Sequence, residues 1–280
     1  MSAGLALLAS VLWGSSDFLG GSVSRRLRAV QVLAVSQVLS ALVLLAFLLA
    51  TGRLAHVGAG AWLGWSVLAG LTWAGAMGAL YTALARGTMG VVAPVASCGM
   101  LVPVAAAVLT GERPGAVALA GAALALVGVV GAAGPELSGS GRTPVAAVGL
   151  AALAALLFGV EVYALARASE TSVAGALLGM RLSSLVVVVV AAAATARSAP
   201  AVAGRDLPVL LALGVLDLGA TAAFALASTS GLVSVVAVLA SLYPAVTILL
   251  ARQVHGERLS GVQKGAVVLV LLGAVLCALG

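Results

Sequence analysis

Charged and aromatic side chains are scarce in this sequence of 280 residues: Asp, Glu, Lys and Arg make up 8% of it, and Phe, Trp and Tyr make up 4%. A soluble domain carries about 25% charged residues, so the chain has too few polar side chains to cover a core in water. Apolar residues make up 63% of the sequence, and its mean hydropathy is +1.25. The composition therefore excludes an ordinary soluble protein and predicts an integral membrane protein.

Groups that carry redox, metal or phosphate chemistry are equally sparse. The two cysteines, Cys98 and Cys277, each lie in an apolar stretch without CxxC spacing, which predicts unreactive hydrophobic side chains. The two histidines, His56 and His255, have no partner at metal-ligand spacing, and the sequence contains no Walker A motif. We therefore expect neither an enzyme, nor a cofactor or metal ion, nor direct use of ATP.

The net charge of +6 does not indicate a nucleic-acid partner. The basic residues form no stripe with interleaved aromatic rings and fall instead at the ends of apolar stretches, where topology signals and snorkelling side chains belong. Most of them lie on the side opposite the N-terminus if the chain crosses the bilayer at every stretch, so the positive-inside rule predicts external termini.

Ten apolar stretches are each long enough to cross the hydrocarbon core of a bilayer, which takes about 20 residues. They lie at residues 3–22, 29–50, 61–85, 90–110, 115–133, 144–166, 172–195, 207–227, 231–252 and 261–280. The first has no basic region before it and leads directly into further spans, so we expect it to be retained rather than cleaved as a signal peptide. The sequence thus predicts an all-α protein with ten transmembrane helices in the inner or plasma membrane.

The sequence contains two copies of one pattern. Gly111-Glu112-Arg113 recurs as Gly256-Glu257-Arg258, offset by 145 residues, and Trp13-Gly14 recurs as Phe158-Gly159. Matches at an offset of 144 join Gly87, Val91, Val92, Ala93, Ala96 and Ser97 to Gly231, Val235, Val236, Ala237, Ala240 and Ser241. The predicted copies are residues 1–134 and 144–280, joined by the linker 135–143. Since each copy holds five spans, an odd number, the second must enter from the opposite side, which predicts inverted repeats.

Four charged side chains fall inside predicted spans and away from their ends: Asp17, Glu161, Arg181 and Asp217. A charge at the bilayer centre costs about 3 kcal/mol or more, so such residues usually face protein or water and are candidates for function. Arg181 and Asp217 lie near the centres of consecutive antiparallel helices, which predicts a buried ion pair. The alternatives are that one of them binds a ligand, or that the pair breaks and reforms as the protein changes conformation.

Asp17 and Glu161 each share a helix face with an aromatic ring, because Trp13 precedes Asp17 by four residues and Phe158 precedes Glu161 by three. Three further rings in predicted spans are Trp73, at the repeat-equivalent position of Asp217, Tyr81 and Tyr243. Ring faces beside carboxylates suit an ammonium group, and a desolvated carboxyl can also exchange protons. The pattern favours binding of a cation or an amine. The alternatives are acids that reach lipid headgroups and rings that pack against neighbours or lipid.

Proline interrupts two predicted spans that correspond in the two copies: Pro94 and Pro103 in the fourth, and Pro244 in the ninth. Such breaks at membrane depth are tolerated where neighbours or cavity water satisfy the freed carbonyls, and paired breaks point to a binding site and to bending during gating. Ser97 and Ser241 occupy matched positions on these spans. Their hydroxyls either face a ligand or bond back to their own helix.

The sequence resembles the EamA family of the drug/metabolite transporter superfamily in three features. These are the two five-span halves, Trp13-Gly14 in the first span, and a Gly-Glu-Arg turn before the last span of each half. The resemblance covers essentially the whole chain. It implies secondary transport of small metabolites or drugs, usually export, through a central cavity lined mainly by spans 1, 3, 4, 6, 8 and 9. It also implies cytoplasmic termini, in disagreement with the count of basic residues. The Gly-Glu-Arg turns look structural, with Glu112 and Glu257 capping the helices that follow.

Together these observations predict a secondary active transporter that exports a small amine-bearing metabolite or an organic cation by alternating access, driven by a proton or substrate gradient. The alternative is a uniporter or exchanger of a zwitterionic or anionic metabolite, in which the buried charges are purely structural. The expected partners are the small-molecule substrate, protons and the lipid bilayer. A monomer is sufficient for this function, and a dimer is compatible with it.

Overall fold

A computed structural model describes residues 1–57, 60–109, 111, 115–137, 143–195, 202–256 and 261–279. All regular structure in these residues is helical, because apolar segments without water around them must bond their backbone groups internally. The α-helices are α1 (Ser2–Ser24), α2 (Ala29–Ala50), α3 (Trp62–Arg86), α4 (Met89–Ser97), α5 (Leu101–Leu109), α6 (Ala116–Leu137), α7 (Val145–Ser169), α8 (Val173–Thr195), α9 (Leu207–Ser228), α10 (Val233–Ala240), α11 (Tyr243–His255) and α12 (Gly261–Leu279).

Eight segments of the described chain are long and apolar enough to cross a membrane. They are Ser2–Ser24, Ala29–Ala50, Trp62–Arg86, Met89–Ala106, Val145–Ser169, Val173–Thr195, Gly204–Ser228 and Val233–His255. An all-helical fold with eight candidate membrane spans is thereby confirmed for the described residues. The predicted total of ten also needs α6 and α12, which pack along each other and coincide with the fifth and tenth predicted spans, and this total stays a prediction.

The fourth and ninth predicted spans are each formed by two short helices. A 3-10 turn at Cys98–Met100 separates α4 from α5, and residues 241–242 separate α10 from α11. Pro244 lies in the first turn of α11, where its missing N–H needs no partner. Pro94 lies inside α4, shortly before the first break, and Pro103 lies in α5. The breaks therefore fall at matched positions in the two copies, while a role of these prolines in gating stays a prediction.

The two Gly-Glu-Arg turns begin with a glycine in the left-handed backbone region. The φ angle is 106° at Gly111 and 67° at Gly256, which directly follows α11. Glycine adopts this conformation without the steric cost that a Cβ atom brings, so the turn itself accounts for glycine at both positions. The predicted helix caps Glu112 and Glu257 lie outside the described residues, as do residues 138–142 of the predicted linker.

The helices of the two copies interleave. α1 packs chiefly against α9 and α11, and in the same way α7 packs against α3, α4 and the turn between α4 and α5. α2 contacts α8 and α9, and α3 contacts α8. Contacts thus recur with the copies exchanged, as expected for two copies related by a two-fold axis. An axis in the membrane plane, which would make the repeats inverted, stays a prediction.

Two glycines of the repeat allow α1 and α7 to touch their neighbours at backbone distance. A Cβ atom at Gly14 would overlap a carbonyl oxygen of α11 and lie 2.6 Å from the Cβ of Val246. A Cβ atom at Gly159 would overlap a carbonyl oxygen in the turn after α4 and lie 2.5 Å from the Cβ of Val102. Val246 follows Val102 by 144 residues, so one close contact is made twice. Close approach of this kind explains why glycine follows the ring at both positions.

Gly159→Ala should destabilise the protein, whereas Gly149→Ala in the same helix should not. The added methyl at position 159 must displace backbone, which typically costs about 1–3 kcal/mol. At position 149 nothing lies within 4 Å of the new methyl. There alanine instead gains about 0.5–1 kcal/mol of helix propensity. Thermal unfolding of the purified variants in one detergent measures the difference, and equal melting temperatures would contradict the close contact.

Inverted repeats predict that the loops after α1 and after α7 open on opposite sides of the membrane. Arg25 and Glu170 are exposed residues at these two points. We expect Arg25→Cys and Glu170→Cys, each in a chain with Cys98 and Cys277 replaced by alanine, to react with a membrane-impermeant maleimide from opposite sides. The labelling side of Arg25→Cys also decides between cytoplasmic and external termini. If both cysteines react from one side, the repeats are not inverted.

Candidate functional site

A cavity with about 380 Å³ of empty space, including the volume open at its mouth, lies between helices of both copies. Helices α1, α3, α7, α9 and α11 and the turn between α4 and α5 contribute to its wall. Its lining residues are Trp13, Asp17, Trp73, Met77, Met100, Phe158, Glu161, Val162, Asp217 and Tyr243. Three carboxyl groups and four aromatic rings thus face one space in an otherwise apolar wall.

The cavity brings together most of the binding residues that the sequence predicts. Six of them line it: Trp13, Asp17, Trp73, Phe158, Glu161 and Tyr243. Sequence reasoning missed Met77, Met100 and Val162, which carry no polar group to mark them. Met77 could have been found, because it follows Trp73 by four residues and so lies on the same face of α3.

Asp17 and Glu161 are buried in the protein rather than directed to lipid headgroups. Asp17 is 5% exposed and Glu161 is 2% exposed. The Oε1 atom of Glu161 has no hydrogen-bond partner among the residues that the structure describes. Buried polar atoms are nearly always bonded, so an unbonded carboxyl oxygen on a side chain that lines a cavity points to a ligand, a proton or water that completes it.

The structure places three predicted binding residues away from the cavity wall. The hydroxyl of Ser97 donates to the carbonyl of Pro94 (2.7 Å), and that of Ser241 donates to the carbonyl of Val238 (2.6 Å). These bonds within each helix are the second of the two alternatives given for the serines, and they satisfy the hydroxyls at the helix breaks. Tyr81 is fully buried, with its ring directly over Gly20 of α1, and this packing keeps it from the cavity.

Arg181 and Asp217 form an ion pair between α8 and α9. The Nη1 atom of Arg181 lies 2.6 Å from Oδ2 of Asp217, and both side chains are buried. Nη1 also donates to Oε1 of Gln37 (2.7 Å), and Nη2 donates to the hydroxyl of Thr221 (3.2 Å). The guanidinium carbon lies 5.6 Å from the ring centre of Trp73. Hydrogen bonds and a ring face thus offset part of the cost of burying two charges.

The ion pair lies where the two copies meet. Gln37 precedes Arg181 by 144 residues, and Trp73 precedes Asp217 by the same offset, so the guanidinium contacts residues from both copies at equivalent positions. Asp217 faces the cavity, whereas Arg181 lies behind the cavity wall. The pair is neutral as a unit, which leaves Asp17 and Glu161 as the two cavity acids outside this ion pair.

The first half of the sequence is similar to a known protein family. Residues 1–134 match the model of the EamA-like transporter family. The match covers just under half of the 280 residues, so the similarity to this family is a similarity of the first half. A crystal structure of another protein, 23% identical in sequence, superposes with a TM-score of 0.76 over 99% of this chain and 97% of the other, which shows that the fold extends across both halves. No curated protein matches the sequence.

The match of the first half suggests a membrane transporter of the drug/metabolite type, in keeping with the apolar helices of the described residues. The resemblance drawn from Trp13-Gly14 and the Gly-Glu-Arg turns is thereby confirmed. The cavity between the copies combines three carboxyl groups with a wall that is otherwise apolar and aromatic. Its acids and rings are the groups from which a substrate class can be inferred.

Proposed function

We propose that this EamA-like transporter exports a small amine-bearing metabolite or an organic cation by alternating access, in exchange for protons. The observation that carries the proposal is the unbonded, buried carboxyl oxygen of Glu161, a residue that lines a cavity together with Asp17. Because Arg181 already neutralises Asp217, these two acids are free to bind a positively charged group.

The rings that line the cavity with the two acids support a cation rather than an anion. Trp13 and Tyr243 come from α1 and α11, and Trp73 and Phe158 come from α3 and α7, so four helices contribute rings to the wall that also carries the acids. An ammonium group is attracted to the face of an aromatic ring by about 0.5–2 kcal/mol, the more so where water is excluded. An anion would instead meet two carboxyl groups, and no basic side chain is among the residues that line the cavity in the described part of the chain.

Proton exchange follows from the same two acids. A carboxyl group that loses its hydration is more stable in its neutral form, and a bound cation restores its charged form. Substrate and proton therefore compete for one group. If the cavity opens alternately to the two sides of the membrane, this competition links outward movement of the cation to inward movement of protons.

Transport by purified protein in liposomes tests the proposal. Phenethylamine, which joins one ammonium group to one ring, serves as the probe, and protein-free liposomes serve as the control. We expect its movement to require the protein and to be accelerated by an opposing pH gradient. Equal rates with and without the gradient would remove proton exchange from the proposal. Transport of an anion or a zwitterion in place of phenethylamine would overturn the substrate class.

A further inference from the structure

We propose that Arg181 determines which charge the cavity accepts, although its side chain does not line the cavity. The inference rests on the proposed function, because it concerns the same cation site. Arg181 holds Asp217 in an internal ion pair, so a substrate meets two free carboxyl groups, Asp17 and Glu161, rather than three. The cavity therefore selects an amine over the amino acid that carries the same side chain together with a carboxylate.

Arg181 lies directly behind the cavity wall and is 1% exposed. Its neighbours Asp217 and Trp73 both line the cavity, so its charge is close to any bound substrate. Its Nη atoms are bonded to Gln37, Asp217 and Thr221. Its Nε atom has no partner within the described residues, but this atom is buried too. A substrate carboxylate in the cavity consequently finds no exposed guanidinium donor.

The two copies differ in charge at this point. Where the second copy has Arg181 and Asp217, the first has the neutral residues Gln37 and Trp73 at the equivalent positions. Two equivalent side chains, those of Gln37 and Arg181, touch each other at the interface between the copies. Asp217 is thus an acid added to the cavity wall of one copy only, and Arg181 cancels its charge from outside the cavity.

Removal of the charge of Arg181 and removal of the charge of Asp217 should change substrate binding in opposite directions. In Arg181→Gln the carboxylate of Asp217 loses its counter-ion, and an incoming ammonium can take that place, so amine binding should tighten. In Asp217→Asn the guanidinium is left uncompensated beside the cavity, so amine binding should weaken and a carboxylate should be tolerated better. A unit charge a few ångströms from the substrate changes binding by about tenfold or more. A pair that only stabilises the fold would instead weaken binding in both variants.

The test is equilibrium binding of phenethylamine and of phenylalanine to the purified full chain at mildly alkaline pH, because these probes differ only in a carboxylate. We expect the unsubstituted protein to favour phenethylamine by about tenfold or more. Arg181→Gln should tighten phenethylamine binding by about tenfold. Asp217→Asn should weaken phenethylamine binding by a similar factor and reduce the preference for phenethylamine over phenylalanine. The double variant, which removes both charges, and Arg181→Lys, which keeps the positive charge, should stay within about threefold of the unsubstituted protein.

Gln37→Glu provides the same test without breaking the ion pair, should the single variants of the pair not fold. Its carboxylate would share Arg181 with Asp217 from outside the cavity wall, and the hydroxyl of Ser184, 3.0 Å from Nε2 of Gln37, can donate to it. Phenethylamine binding should again tighten. Unchanged or weaker binding in Gln37→Glu and Arg181→Gln would overturn the role of Arg181 and leave the proposed function intact. Absence of phenethylamine binding to the unsubstituted protein would overturn both.

Discussion

Gradient-driven uptake of phenethylamine into proteoliposomes should fall to background in both Asp17→Asn and Glu161→Gln. Each change removes a charge but keeps the size of a buried side chain at the cavity wall. A cation in a site with little water depends on these charges far more than on the shape of the side chain. We therefore expect the loss of transport to reach about a hundredfold or more, with binding weakened in parallel.

Both variants should nevertheless fold, because neither breaks a known partner interaction. Oε1 of Glu161 has no hydrogen-bond partner among the described residues. A neutral amide is also less costly than a charge in an apolar wall. Their melting temperatures should stay close to that of the unsubstituted protein.

The pH dependence of transport separates proton exchange from simple charge attraction. If Asp17 and Glu161 exchange protons with the substrate, the pH dependence of the transport that remains in either variant should flatten, because one of the two exchanging acids is lost. Glu170→Gln is the matched control, because Glu170 directly follows α7 and is exposed, in a surface pair with Arg167. That variant should transport normally. Unchanged transport and an unchanged pH profile in both cavity variants would show that these acids do not take part.

Breaking the buried ion pair should have the largest effect on stability. Asp217→Asn leaves the guanidinium of Arg181 buried without its counter-ion, which typically costs about 3–5 kcal/mol. Arg181→Gln should be costly for the reciprocal reason. The double variant replaces both charges with neutral amides, and glutamine is already the residue at the equivalent position 37. We expect it to be more stable than Asp217→Asn alone.

A double-mutant cycle measures this coupling. The unfolding free energies of the two single variants and the double variant should deviate from additivity by several kcal/mol in the buried pair. The exposed pair Arg167–Glu170, whose side chains are 44% and 49% exposed, is the control. There we expect less than about 1 kcal/mol of coupling. Additive effects at Arg181 and Asp217 would mean that the two charges do not stabilise each other.

Much of the site could be predicted from the sequence because a membrane span is a regular helix that contains few charged residues. A charge inside a span needs a partner, so opposite charges on consecutive helices indicate the pair of Arg181 and Asp217. Helical spacing places Trp13 beside Asp17 and Phe158 beside Glu161, and all four line the cavity. In each case local geometry alone fixes which side chains share a face.

The remainder depends on neighbours that spacing does not reveal. Tyr81 lies further along α3 than Trp73 and packs over Gly20, a contact that exists only once α1 and α3 are docked. The hydroxyls of Ser97 and Ser241 could either face a ligand or bond back to their own helix, and the sequence does not distinguish these alternatives. In the structure both hydroxyls donate to a backbone carbonyl three residues earlier. Likewise, α4 and α10 each end at a break in the helix. A proline nearby allows such a break, but its position in the sequence does not fix the residue at which the helix ends.

The interleaving of the helices affects how the chain assembles during synthesis. α1 is made first, yet its main neighbours, α9 and α11, are made near the end, and α3 in turn packs against α7 and α8. The first copy therefore inserts into the bilayer with much of its contact surface facing lipid, and the second copy completes it. The repeat is a unit of sequence but not a unit of assembly. A chain cut between the copies should regain its structure only when both pieces are synthesised in the same membrane.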